Sequence, residues 1–346
     1  MALMPFLAGL LSLALIYGLL ALALNIQYGY AGLLNFGHVA FFAAGAFASA
    51  IVTLPEPGSA AYTAASAHYS LGFGLPFVAG IVGAGVAGGG LALLIGLTSI
   101  RLSSHYLAIG TFAMAEVFRS VLDNEEWLTG GQFGITNVPQ PGKGTLIPVD
   151  LYGYAYLLLI VVVVAALLFV AVRITESPFG RTLRAIRSDE LATRMLGKTT
   201  WRYKLQAFVV GGVLAGIAGN LWSHWVGVVH VGQFVPIITF QIWLAMLMGG
   251  VGNHRGVLVG AVVLVAIQEG TRFLGNVPGL AELTAANPSF LPSLRFVVIG
   301  LLLIGVVRFF PNGIVAPRRR KALPRADHDH PSRQTLRGRG DDDRLP

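Results

Sequence analysis

Cysteine is absent from all 346 residues. That excludes a disulfide framework, zinc-thiolate sites and a cysteine nucleophile. Charge is scarce too. Asp, Glu, Lys and Arg make up 12% of the chain, against about 25% in a soluble domain. So few charges cannot coat a soluble surface of this size. A soluble globular enzyme is excluded on that ground. A disordered chain is excluded as well, because it would be charge-rich and apolar-poor. No aspartate lies inside an apolar run, which argues against an intramembrane aspartyl protease. H-E-x-x-H, G-x-S-x-G and the EF-hand loop are all missing. Gly197-Lys198-Thr199 looks like the end of a P-loop. The first glycine of that motif is replaced by Ala192, and the stretch before it has a helical pattern rather than a strand. ATP binding by this segment is not expected, and neither is a metal site.

What the chain does have is apolar length. Hydrophobic residues reach 55% and mean hydropathy is +0.70. The runs are continuous, whereas barrel strands would alternate over about 10 residues. An all-α, polytopic helical membrane protein is expected. A spanning helix needs about 20 apolar residues. Runs at 6–24, 31–54, 71–98, 105–122, 151–173, 205–227, 237–249, 256–273 and 294–310 give about nine spans. The seventh is short enough to be bent or re-entrant. The third is long and glycine-rich, so it is a place for tilt or a break. No basic region precedes Phe6, so no cleaved signal peptide is expected.

Net charge is +8, and its position is informative. Residues 173–204 carry eight Lys/Arg and residues 308–344 carry ten, out of 24 in all. Two basic patches flanking bare apolar runs follow the positive-inside rule, not the pattern of a nucleic-acid face. Loop 174–204 and the C-terminus are therefore assigned to the cytoplasm. The N-terminus and loops 55–70 and 123–150 then face outward, and Arg101 lies in a short inner loop. The membrane domain is expected over 1–310. The tail 311–346 lacks apolar periodicity, is expected to be largely disordered, and carries Arg318–Lys321 as an anchor beside anionic headgroups.

There are 44 glycines, nearly twice the average share of about 7%. Gly212–Gly216, Gly252–Gly256 and Gly256–Gly260 fit G-x-x-x-G. Small residues let helices approach closely in lipid. Tight packing within one chain is the simpler reading, and sliding or hinging helices the functional one.

The loop 177–204 is too regular for a connector. Pro178 and Gly180 precede Leu183, Ile186, Leu191 and Met195 near helical spacing. Arg181, Arg184 and Arg187 form a basic stripe at i, i+3, i+6. Asp189 and Glu190 open the next turn, and Gly197 is placed to stop the helix. Such an amphipathic helix can dock into a partner's groove or lie on the lipid surface. Periodicity alone leaves both open.

Polar residues inside spans are costly and often functional. Asn35 and His38 follow Asn25 and Gln27 in a glycine-flanked run, where a broken, pathway-lining helix and ordinary interhelical bonding are both open. Glu116 and Arg119 stand at i, i+3, the spacing of an ion pair. Thr129-Gly130-Gly131 reads as an outward turn. Asn220, His224 and His230 lie near an outer helix end, with Trp222 and Trp225 as an interface belt. Gln268 and Glu269 are expected to be partly solvated.

Four stretches together carry a resemblance. They are NIQYGYAGLLNFGHVAFFAAGAFASA (25–50), RLSSHYLAIGTFAMAEVFRSVL with LTGGQFGI (101–135), FGRTLRAIRSDELATRMLG with WRYKLQAFVVGGVLAGIAGNLW (179–222), and LMGGVGNHRGVLVGA (247–261). In order and spacing the chain resembles the permease subunits of branched-chain amino acid ABC transporters, the LivM type, across roughly 15–315.

The resemblance implies a prokaryotic inner-membrane import subunit with no cofactor of its own. ATP and Mg would bind two cytoplasmic ATPase subunits. A LivH-type second permease and an extracytoplasmic binding protein would complete the system. The loop helix would be the coupling helix, similar to the E-A-A-x-x-x-G element of ABC importers. The ATPase contacts would then be Gly180, Arg181, Arg184, Arg187, Asp189, Glu190, Ala192 and Gly197. Counting back from Gly197 gives Leu191-Ala192-Thr193, so the acid, Glu190, stands one place early. The three arginines would meet acidic groove residues, although positive-inside retention accounts for them too. The pathway candidates are Asn25, Asn35, His38, Glu116, Thr129 and Gly130. Relatives that carry urea or short amides share this scaffold, so those substrates stay open; an ion-coupled secondary transporter is the alternative class, with Glu116 and Glu269, both off-centre, as its only candidate acids.

Overall fold

The computed structural model describes residues 3–57, 71–144, 146–273, 290–309 and 313–315. Most of the 55–70 loop, the Arg318–Lys321 cluster and the tail lie outside them. Twelve α-helices are found among the described residues: α1 (Leu3–Leu24), α2 (His38–Thr53), α3 (Phe77–Ser99), α4 (Ser104–Asn124), α5 (Glu126–Thr129), α6 (Tyr152–Glu176), α7 (Pro178–Ser188), α8 (Glu190–Met195), α9 (Thr200–Val226), α10 (Pro236–Gly249), α11 (His254–Phe273) and α12 (Phe290–Phe309). Among the described residues, extended segments pair only as isolated bridges, Ile135 with Val229 and Lys143 with Ile147. Five helical stretches are long and apolar enough to cross a membrane: Met4–Tyr30, Phe77–Ser99, Val149–Glu176, Thr200–Val226 and Val231–Gly249. The protein is an all-helical, multi-pass membrane protein.

The second and third runs differ from expectation. Run 31–54 is helical only from His38, and α2 has 16 residues. At 1.5 Å per residue it falls short of a hydrocarbon core about 30 Å thick. Run 71–98 shows no break once it begins at Phe77.

Two groups of helices pack most closely, α2 with α3 and α9, and α11 with α1 and α10. Glycines set both crossings. A Cβ on Gly216 of α9 would overlap the Ala84 carbonyl of α3, and one on Gly45 of α2 would overlap the Gly216 backbone. Gly249 of α10 and Gly256 of α11 exclude a Cβ on each other in the same way. The packing reading therefore holds for Gly212–Gly216 and Gly256–Gly260. Gly252 does not fit it. It lies before α11, in a turn at φ 83°.

The connections sort into two ends. At one, Arg101 stands 5.7 Å from the Trp201 ring, Tyr30 Oη donates to the Gly252 carbonyl at 3.0 Å, and Ile314 N donates to the Met248 carbonyl at 2.7 Å. At the other, Ile135 pairs with Val229, Val138 N donates to the Gly227 carbonyl at 3.0 Å, and Phe73 N donates to the Ile51 carbonyl at 3.3 Å. The charge pattern groups the connections in the same way.

Candidate functional site

The break between α1 and α2 is the most polar part of the interior. α1 runs into a π-helical turn, Asn25–Tyr30, and the chain is non-helical from 31 to 37. Asn25, Gln27, Asn35 and His38 are all fully buried. An unpaired polar group there would cost several kcal/mol, of order. Each finds a partner. Gln27 Nε2 donates to the Phe208 carbonyl at 2.9 Å. Asn35 Nδ2 donates to Gln27 Oε1 at 2.8 Å, and Asn35 Oδ1 accepts from Gly37 N at 2.9 Å. His38 Nε2 lies 3.1 Å from the Leu20 carbonyl. Neighbouring helices satisfy the backbone at the start of α2. Phe36 N donates to Thr111 Oγ1 and Val39 N to Thr239 Oγ1, both at 3.1 Å. Trp243 Nε1 donates to the Asn35 carbonyl at 3.0 Å. Gly211 leaves room for Gln27, since a Cβ there would lie 2.6 Å from Gln27 Cγ.

Asn25 joins this break to α11. Its Oδ1 accepts from Gly252 N at 2.8 Å, and its Nδ2 meets His254 Nδ1 at 3.3 Å. His254 Nε2 is 2.8 Å from Thr175 Oγ1. Thr175 already donates to the Ala171 carbonyl at 2.8 Å. The network therefore assigns the imidazole proton to Nε2, with Nδ1 accepting from Asn25.

The loop element lies directly beneath. It is two helices, not one. Pro178 fits the first turn of α7 because its missing N–H is not needed there. Leu183 and Ile186 are buried, about 1.5–3 kcal/mol each. Asp189 is extended and ends α7; its Oδ1 accepts from Ala192 N at 2.9 Å and so caps α8. Gly197, at φ 76°, stops α8 as expected. Gly180 is not a surface contact. A Cβ on it would overlap the Thr175 backbone. Arg184 and Arg187 also make contacts within the chain. Arg184 Nη1 donates to the Thr175 carbonyl at 3.0 Å, and Arg187 Nη1 donates to the Gly29 carbonyl. The i, i+3 stripe places them on one face of the helix, and that face meets the chain's own helix ends. Arg181 is exposed.

Glu190 is fixed by three donors. Arg194 Nη2 reaches Oε1 at 2.6 Å, Thr200 Oγ1 reaches it at 3.0 Å, and Lys204 Nζ reaches Oε2. Burial raises the carboxyl's pKa, but the Lys204, Arg194 and Thr200 contacts outweigh it and hold the group below the usual glutamate range. Leu191, Ala192, Met195 and Leu196 are exposed, as are Arg194, Gly197, Lys198 and Thr199.

The other candidates separate. Glu116 pairs with Arg119 at 3.0 Å on α4. Thr129 is buried and donates to the Leu122 carbonyl at 2.6 Å, where Gly130 (φ 73°) and Gly131 (φ 58°) make the expected turn. Neither lies at the break. Asn220 Nδ2 donates to Ser49 Oγ at 2.6 Å, and the buried His224 stands edge-on to Phe77 at 4.9 Å. Trp222 and Trp225 pack on Phe42 and Tyr156 of this chain rather than forming a free belt. Gln268 and Glu269 are buried, not partly solvated. Among the described residues no group of His, Asp or Glu is arranged to hold a metal ion.

A broken helix with a loop helix tied to it suits a transport protein, and sequence comparison decides the matter. The protein-family model "Branched-chain amino acid transport system / permease component" matches residues 6–307. The chain belongs to this permease family. It is 31% identical over 280 residues to the high-affinity branched-chain amino acid permease protein LivM of Salmonella typhimurium, covering 75% of this chain and 62% of that one. It is 24% identical to the probable LivM of Methanocaldococcus jannaschii, covering 87% and 90%. It is 26% identical to the permease protein LivH of Escherichia coli K12, covering 86% and 91%. The chain thus spans somewhat under two thirds of the LivM relative it matches at 31%. No solved structure matches it. Within this permease-family chain, sequence reasoning missed Thr111, Thr239, Trp243, Thr175 and His254 as partners of the break. His254 stands in a quoted motif, GNHRG. Thr111 and Thr239 are lone hydroxyls in apolar runs and carry no signal of where they aim.

Proposed function

We propose that the chain is a permease subunit of an ATP-driven ABC importer in a prokaryotic plasma membrane, carrying branched-chain or other hydrophobic amino acids. It spans the membrane about nine times over 1–310, with the basic end and the tail cytoplasmic. Two ATPase subunits bind ATP and Mg, a homologous LivH-type permease completes the pathway, and a binding protein delivers substrate from outside. This chain holds no cofactor and carries out no catalysis.

One observation supports this best. Leu191, Met195 and Leu196 are 64%, 79% and 80% exposed at the basic, aqueous end. Apolar side chains displayed there by a capped helix suit a protein groove. We assign the ATPase contact to them, with Arg181, Asp189, Ala192 and Gly197. Closure of the ATPases moves α7 and α8 as rigid bodies, and the permease pair switches between its two states. A loaded binding protein biases the same equilibrium from the other side, near the turn at Thr129 and Gly130. Asn25, Asn35 and His38 line the pathway when the break opens. The side chains of the break itself are neutral polar groups without fixed charge. Weak passage of an amino acid follows, with selectivity left to the binding protein.

The test is reconstitution. Tagged chain co-expressed with its partner subunits is placed in proteoliposomes with binding protein, and labelled leucine uptake is followed with and without ATP. Uptake that needs ATP and all subunits is the expected result. A chain that purifies alone and transports without ATP would sink the reading.

A further inference from the structure

We propose that Arg187 is the positioning residue that locks α7 to the helix break at 25–37, so that the two move as one body. This rests on the proposed function and says how the loop helix would reach the pathway.

Four observations carry it. First, the contact is built for that side chain. Arg187 is an exposed residue overall, yet its guanidinium turns inward, donates to the Gly29 carbonyl and lies 5.9 Å from the Tyr28 ring centroid. A Cβ on Gly32 would come within 3.2 Å of Arg187 Cγ, and one on Gly252 within 3.8 Å of Nη1. Gly32 thus leaves the room that the side chain occupies, whereas a Cβ on Gly252 would only touch it. Second, the carbonyl is a helix-end carbonyl. The chain leaves the π turn after Tyr30, and the last four carbonyls of a helix lack helical donors. A charged donor is the strongest available partner.

Third, α7 is jointed at both ends. Ser177 (φ −69°, ψ 173°) and Asp189 (φ −156°, ψ 105°) are extended. Single extended residues transmit little torque, so lateral side-chain ties decide what α7 moves with. Fourth, a second tie converges on the same turn. Arg184 holds the Thr175 carbonyl, and Thr175, His254 and Asn25 continue the chain of contacts to the start of the π turn.

The test uses the reconstituted complex and reads transport per ATP hydrolysed. Arg187→Ala is expected to lower that ratio about tenfold, the scale of one charge-assisted hydrogen bond, with assembly and ATP hydrolysis retained. Arg187→Lys is expected to recover part of it. A covalent tie gives a second measurement. A Cβ on Gly32 would lie 3.6 Å from the Arg187 Cβ, inside the roughly 3.5–4.5 Å range of disulfides. The chain has no cysteine, so Gly32→Cys with Arg187→Cys introduces only this pair. Gly32→Cys alone is the control, because Gly32 has φ +73°. The oxidised pair is expected to transport as the control does, and reduction to lower the ratio about tenfold. The proposal is overturned if Arg187→Ala keeps the wild-type ratio. It is overturned if the oxidised pair is blocked while the reduced pair is active, because α7 must then leave the break. It is also overturned if Arg187→Ala only prevents assembly. Wild-type uptake that needs no ATP would overturn the proposed function instead, in a separate measurement.

Discussion

Gly88 and Gly90 lie two residues apart on α3 and respond to the same substitution in opposite ways. A Cβ on Gly88 would stand 2.8 Å from Gly216 Cα and 3.0 Å from Gly216 N, and would overlap the Gly212 carbonyl. Carbon atoms need about 3.5 Å, so the first contact is short by roughly 0.7 Å. Every atom it meets is backbone, so no side chain can swing aside. α3 and α9 must part, and a gap of 0.5–1 Å forfeits roughly a quarter to a half of each contact along the crossing. Overpacking of this kind costs about 1–3 kcal/mol. A Cβ on Gly90 meets nothing within 4 Å. There alanine only removes the helix penalty of glycine, worth about 0.5–1 kcal/mol. The helix gain is common to both variants, so Gly88→Ala should be less stable than Gly90→Ala by the overpacking cost, about 1–3 kcal/mol. Reversible unfolding in mixed micelles, read by tryptophan fluorescence, measures the difference. Equal stability in the two variants would refute the backbone-contact account of the α3–α9 crossing.

Other positions give further tests. Glu190 is held below the usual glutamate range, so its stabilising contribution is complete above that range and is lost as pH falls through the lowered value. Hydrogen-exchange protection over 190–204, taken relative to the intrinsic rate at each pH, should fall on acidification in the native chain, whereas Glu190→Gln should be weakly protected already at pH 7; an identical pH response in both would contradict this. Asn35→Ala strands Gln27 Oε1 and Gly37 N, at about 1–3 kcal/mol for each buried group. A melting temperature in detergent equal to wild type would show that the break is not sealed by Asn35. Met195→Asp and Leu196→Asp should leave the chain folded and cost it co-purifying ATPase, and undiminished capture would move the docking surface elsewhere.

Local signals in the sequence were read correctly where the physics is local. Pro178, Asp189 and Gly197 mark starts and stops because each acts on the backbone within a turn of itself. Glu116 and Arg119 pair because one helix turn separates them. The glycine pairs foretold close crossings, although Gly252 matched the spacing and sits in a turn. What was not legible is of another kind. A basic stripe at i, i+3, i+6 names a helix face but not its neighbour, and Arg184 and Arg187 meet carbonyls of their own chain. Gln268 and Glu269 were placed by distance along a helix, whereas burial depends on what packs beside it. The break itself was legible as a polar, glycine-flanked run. Its closure was not, because Thr111, Thr239 and Trp243 come from 75, 200 and 208 residues away.

The position of the break also follows from where the chain is stiff. α2, α3 and α9 interlock through Gly45, Gly88 and Gly216, and α10 and α11 through Gly249, Gly256 and Gly260. At such crossings backbone touches backbone, and sliding would drive atoms into each other. The π turn and residues 31–37 meet neighbouring backbone closely at Gly29 and Gly37, but most of this segment is held differently. Their ties are side-chain hydrogen bonds from α4, α9, α10 and α11, each worth about 0.5–1.5 kcal/mol net and each able to exchange partners. A rearrangement that keeps both glycine-locked groups intact therefore costs least at 25–37. That is the stretch where Asn25, Gln27, Asn35 and His38 are gathered and where Arg187 reaches the main chain. The polar groups that make this segment expensive to bury also make it the part of the bundle that can re-pair.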